Sequence, residues 1–159
     1  MQKAIFAAGC FWGVQYYFDQ VPGVIKTTVG YSGGKGTNPT WESTHYKDRD
    51  HAESVLLEFD PKIASYETLL KHFFKLHDPT QKDGQGPNMG TNYRSAIFYF
   101  NDEQKSIAEK IKNAKSLQFD GKIVTEITKA SKFYEAEGYH QKYTQRTGRG
   151  FCHVDYAPV

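Results

Sequence analysis

A cysteine set between two glycines and followed by two large aromatics, Gly9-Cys10-Phe11-Trp12-Gly13, constrains this chain more than any other stretch of it. Glycine adds backbone freedom and no packing surface, so the segment is a poor way to fill a core. It is a good way to present a thiol.

The flanks fix where that thiol sits. Ala4-Ile5-Phe6-Ala7-Ala8 reads as a short buried strand. After Gly13, the residues Val14, Tyr17, Phe18 and Val21 recur at the spacing of an amphipathic helix that stops at Pro22-Gly23. Cys10 is therefore expected in a strand-to-helix turn, at the positive end of a helix dipole. That position predicts a lowered thiol pKa and a reactive thiolate.

Two cysteines are too few for a secreted disulfide framework and lack the spacing of zinc ligands, although Cys10 and Cys152 could still form one functional pair. The 159 residues suit one domain, 1–159, with a sizeable core. Eleven Tyr and eleven Phe require an interior or a pocket rich in rings. The net charge of +2, with no basic stripe, gives no footprint for nucleic acid. No apolar run approaches the roughly 20 residues of a membrane span. Met1-Gln2-Lys3 ahead of Ala4–Ala8 and Cys10 imitates a lipoprotein signal, but its apolar part is shorter than the roughly 7 to 15 residues such a region needs. A cytoplasmic monomer without metal or cofactor is expected.

Along the chain, strands are expected over Val24–Tyr31, Ser54–Phe59, Ser95–Phe100 and Ile123–Ile127. A helix capped by Ser65 carries the stripe Tyr66, Leu69, Leu70, Phe73 and Phe74, and a second begins at the capping sequence Asn101-Asp102-Glu103-Gln104. Ser32–Pro39 and Gln81–Asn92 read as glycine-rich loops, and Trp41–Asp50 as polar and irregular. From about Lys132 the pattern weakens into a long irregular tail, with a short helix near Tyr139–Tyr143 and Cys152 near its end. The fold class is α+β: a single two-layer domain whose central mixed sheet is packed by helices.

Six stretches carry a family resemblance: Gly9–Gly13, Gly30-Tyr31-Ser32-Gly33-Gly34, His51-Ala52-Glu53, His77-Asp78-Pro79-Thr80-Gln81, Gly90-Thr91-Asn92-Tyr93-Arg94-Ser95 and Glu137-Gly138-Tyr139-His140-Gln141. In this order they resemble the A-type peptide methionine sulfoxide reductases. The resemblance implies reduction of the S epimer of methionine sulfoxide, free or in proteins, to methionine. It implies Cys10 as nucleophile, Glu53 as acid, Phe11 and Trp12 as a wall for the methyl group, and Tyr93 as a phenol bonding the sulfoxide oxygen. It further implies Cys152 as the thiol that condenses with a Cys10 sulfenic acid, with thioredoxin reducing the disulfide.

The chemistry can be rebuilt from the residue types. A thiolate that attacks the positive sulfur of a sulfoxide needs a proton for the departing oxygen, and a carboxyl among aromatic rings is driven toward its neutral form. Three positions depart from the family pattern. Trp41 stands where a tyrosine usually helps bind the oxygen, and offers one N–H donor in place of a phenol. Asn88 replaces an aspartate, which removes a charge toward the substrate backbone. Asp50 replaces a glycine before His51. The rival reading is a weakened relative acting as a thiol redox or methionine-sulfoxide sensor. Histidines 45, 51, 77, 140 and 153 also raise, as a minor alternative, a metal or Cys–His hydrolase site.

Overall fold

The computed structural model describes residues 1–46 and 50–152. Its centre is β1 (Gln2–Ala8), whose last five residues are buried. This strand pairs antiparallel with β3 (Ala52–Phe59) on one side and β6 (Ser95–Tyr99) on the other. The segment that imitates a lipoprotein signal is thus the middle of the sheet. β2 (Val24–Ser32) pairs antiparallel with β3, and β7 (Glu126–Lys129) runs parallel to β6. With β8 (Tyr134–Glu135) at the edge, the order is β7-β6-β1-β3-β2-β8, a mixed six-stranded sheet.

Period-two alternation sorts the sheet residues to its two faces. Ala4, Phe6, Ala8, Val55, Leu57, Phe59 and Ile97 face three helices: α1 (Phe11–Phe18), α3 (Tyr66–Leu76) and α4 (Asp102–Ser116). Phe6 packs its ring 5.7 Å from Phe18 and 5.2 Å from Phe73, in the tilted and offset geometries that aromatic quadrupoles favour. The expected stripe of α3 is buried and Ser65 accepts from the Thr68 N–H at 3.1 Å, so this helix forms where periodicity and cap place it. The opposite face holds a smaller cluster, Ile5, Ala7, Ala52, Ala96 and Phe98, covered by Ala130 and Phe133.

Several local expectations are corrected. Trp41–Tyr46 is a helix, α2, because Thr40 and Ser43 bond reciprocally: the Thr40 N–H donates to Ser43 Oγ at 2.8 Å and the Ser43 N–H to Thr40 Oγ1 at 3.1 Å. Within 81–92 the chain folds a small hairpin, β4 (Gly84–Gln85) with β5 (Asn88–Met89), and then a 3₁₀ turn, Thr91–Tyr93. The strand expected at 123–127 lies at 126–129, and the short tail helix, α5, at Tyr143–Thr147.

The tail is irregular but tethered. β8 extends the sheet from β2, and the Gln141 side chain bonds both the N–H and the C=O of Val29. Gln15 of α1 accepts from the Lys142 N–H at 2.8 Å while its amide reaches Thr27. Among the described residues, no helix is long and apolar enough to cross a membrane.

Candidate active site

Positioning of Cys10 starts with Gly9, whose φ of 92° is a conformation that side chains disfavour; it turns the chain from β1 into α1. Cys10 occupies the N-cap position of α1 and is 8% exposed. Glu53 lies on the helix-facing side of β3, in line with Val55, Leu57 and Phe59 and opposite Tyr31 in register. Its carboxyl therefore reaches under the first turn of α1, where Oε1 accepts from the Phe11 N–H at 3.1 Å. Glu53 is only 2% exposed.

A cavity of about 270 Å³ opens over this pair, lined by Cys10, Trp12, Trp41, Glu53, Asn88, Tyr93, Gly150, Phe151 and Cys152. Seven of the eight residues expected in a site are brought together there, and Phe11 is not among the lining. Its ring is buried behind the wall, 5.6 Å from Tyr31 and 5.2 Å from His140. Trp12 provides the apolar surface. It stacks on Tyr143 at 4.0 Å and donates its indole N–H to His140 Nδ1 at 2.9 Å. Gly150 passes so close that a Cβ there would lie 2.9 Å from the Trp12 ring.

The second tier holds residues that sequence reasoning did not place in the site. His45, on α2, stacks against Trp41 at 4.0 Å and presents Nε2 at 2.7 Å from the Tyr93 hydroxyl and 3.1 Å from Glu53 Oε2. Nε2 is therefore within reach of both oxygens, and Glu53 Oε2 has no hydrogen-bond partner apart from this approach by His45. Glu137 ties the layers together, accepting from the Tyr31 hydroxyl at 3.0 Å and the Trp41 N–H at 3.1 Å. The signal for His45 was its spacing four residues after Trp41, one helical turn, which reading the segment as irregular concealed.

Electrostatics correct one expectation. The Cys10 thiol is pushed well above its ordinary value by the hydrogen bond with Cys152, by burial and by the nearby Glu53 carboxylate, against the weaker pull of the Trp12 N–H. The first donor of α1 goes to Glu53, so the helix end is spent partly on the carboxylate instead of the thiol. Cys152 is lowered by its bond with the Cys10 thiol and by the Gly13 N–H. Both cysteines are free thiols in contact. Burial raises the Glu53 carboxyl, with His45 and the Phe11 N–H opposing.

Other expected histidines have local partners. His51 accepts from the Gly34 N–H and donates to the Gly36 carbonyl, and His77 bonds Phe73 and Ser95. His153 lies outside the described residues. Among the described residues no group of three or more His, Cys, Asp or Glu is arranged to hold a metal ion. Asp50 accepts from the Lys35 N–H at 2.6 Å and so fastens the 33–36 loop.

A buried thiol, a raised carboxyl and a phenol around an apolar hollow can cleave a polarised bond to sulfur while protonating the leaving oxygen. The family model described as peptide methionine sulfoxide reductase matches residues 2–159. The peptide methionine sulfoxide reductase MsrA of Methanosarcina mazei is 53% identical over 150 residues, covering 93% of this chain and 71% of that protein. The MsrA of Mycobacterium tuberculosis is 50% identical over 155 residues, covering 96% of this chain and 83% of the other. The crystal structure of reduced Mxr1 from Saccharomyces cerevisiae superposes with a TM-score of 0.91 at 29% identity, over 99% of this chain and 92% of that one. From motif order, cavity and these matches alike, the chain belongs to the peptide methionine sulfoxide reductase family.

Proposed function

We propose that this chain reduces methionine S-sulfoxide, free or in peptides, to methionine. The observation that carries the proposal is one cavity shared by the Cys10 thiol, the Glu53 carboxyl and Tyr93, with Cys152 touching Cys10. Trp12 receives the methyl group, backed by Phe11. Trp41 and Asn88 line the approach to the substrate, Asn88 without the charge an aspartate would bring.

The reactive state is the Cys10 thiolate beside neutral Glu53. The two groups share one pocket and oppose each other's ionisation, so their titration belongs to the pair. The thiolate adds to the sulfoxide sulfur to form an S–S bond while the Glu53 proton goes to the oxygen, with Tyr93 beside it. The oxygen then leaves the substrate sulfur as hydroxide and bonds to the Cys10 sulfur, which breaks the S–S bond and releases methionine. Cys10 is then a sulfenic acid, the sulfoxide sulfur has been reduced, and Glu53 is a carboxylate. The Cys152 thiol displaces water from Cys10 to form a disulfide, and a dithiol protein of the thioredoxin type reduces it. Residues 1–159 act as one domain and as a monomer, in a reducing cytoplasm that keeps the thiols ready.

The test is to incubate the protein with methionine S-sulfoxide and dithiothreitol and to quantify methionine. Many equivalents per chain are expected. A ceiling of one equivalent per Cys10 would replace the enzyme with a stoichiometric sensor, and no methionine at all would reject sulfoxide chemistry.

A further inference from the structure

Glu53 is almost wholly withdrawn from bulk water. It is 2% exposed, one oxygen is held on the Phe11 N–H, and the other faces His45 and the cavity. Yet the reaction above spends its proton in every cycle. When the disulfide is reduced, the two hydrogens of the incoming dithiol leave as protons outside the cavity; one returns to the Cys152 thiol, and the other must reach Glu53.

The His45 ring is oriented for that transfer. Its Nδ1 lies 2.7 Å from the Trp41 carbonyl oxygen, which can only accept, so Nδ1 carries a hydrogen and Nε2 is the exchanging site. Nε2 touches both Glu53 Oε2 and the Tyr93 hydroxyl. The His45 side chain is 11% exposed and Tyr93 is half-buried, so this pair connects the acid to the surface. We propose that His45 is a positioning residue which returns the proton to Glu53 through Nε2 and aims the Tyr93 hydroxyl at the cavity. A neutral Nε2 accepts the Tyr93 O–H; once protonated, it donates to the phenol oxygen and releases that O–H for the sulfoxide.

The groups around His45 are Glu53 from β3, Tyr93 from the 3₁₀ turn, Trp41 from its own helix and His140 from the tail, with Glu137 held on the Trp41 N–H. His140 is no competing relay, because Nδ1 accepts from the Trp12 indole and burial lowers its pKa. This role rests on the sulfoxide-reductase reading, and the test separates the two.

The variants are His45→Ala and, to keep contact with Tyr93 without a titrating ring, His45→Gln, each assayed for methionine formation across pH. The expected result is a kcat lower by about 10- to 100-fold with little change in KM, since general acid catalysis is worth on the order of 10²–10⁴. Added imidazole should restore kcat in His45→Ala. The alkaline limb should move to higher pH, because the imidazole that holds Glu53 down is gone. In single turnover, His45→Gln pre-equilibrated at low pH should release its first methionine at the wild-type rate. A kcat within about twofold of wild type, a loss carried by KM, or a loss without imidazole rescue and with an unmoved limb each overturns the inference. If the wild type makes no methionine, it is the sulfoxide reading that fails.

Discussion

Glu53 is where this chain accepts a cost in stability for chemistry. Its carboxyl is buried and raised, so the folded state resists ionising it. A group raised on folding contributes stability below its unfolded pKa, and that contribution is lost as pH rises through the folded value. Glu53→Gln removes the penalty. Its melting temperature should exceed wild type by about 2–4 °C at alkaline pH, the response of a chain this size to about 1 kcal/mol, and the gain should vanish near pH 4. Calorimetry at the two pH values checks the sign, and methionine formation should drop by about 10²–10⁴ in the same protein. Cys152→Ser makes a different prediction: with thioredoxin as reductant, product formation stops after one equivalent, and a sulfenic-acid probe labels Cys10.

At the scale of elements, caps decide where helices begin, and they do so at opposite ends of the molecule. Asn101 accepts from the Gln104 N–H at 2.9 Å, and the Gln104 side chain reaches the Phe100 N–H and the Lys3 carbonyl. This cap lies at the Lys3 end of β1, a strand's length from Cys10. Asn101→Ala should cost about 1 kcal/mol, seen as a lower melting temperature, with kcat and KM unchanged. The six-residue α2 shows why some elements were legible and others were not. The stripe of α3 spans three turns and announces itself, whereas α2 is too short for a period and is held by the Thr40–Ser43 bonds and by Glu137. Reading Trp41–Asp50 as irregular therefore hid the helical turn that stacks His45 on Trp41 and carries it to Glu53.

Across the whole molecule, the tail finishes the site that the N-terminal segment starts. His140 and Tyr143 hold Trp12, Gln141 and Lys142 bind β2 and α1, and Gly150 lets the chain close over the Trp12 ring. Ending the chain after Lys132 should therefore abolish even the first equivalent of methionine, unlike Cys152→Ser, and lower the melting temperature; a single-turnover assay separates the two. The sequence alone determined what short-range physics encodes: the strand–glycine–helix setting of Cys10, the capped amphipathic helices, the α+β class and, through its ordered motifs, the family. Tertiary structure alone decided that Phe11 stands behind the cavity, that His45 joins Glu53 to Tyr93, and that Cys10 is raised instead of lowered. Those outcomes depend on burial and on which distant donors and charges meet at one point, and a linear pattern carries neither quantity.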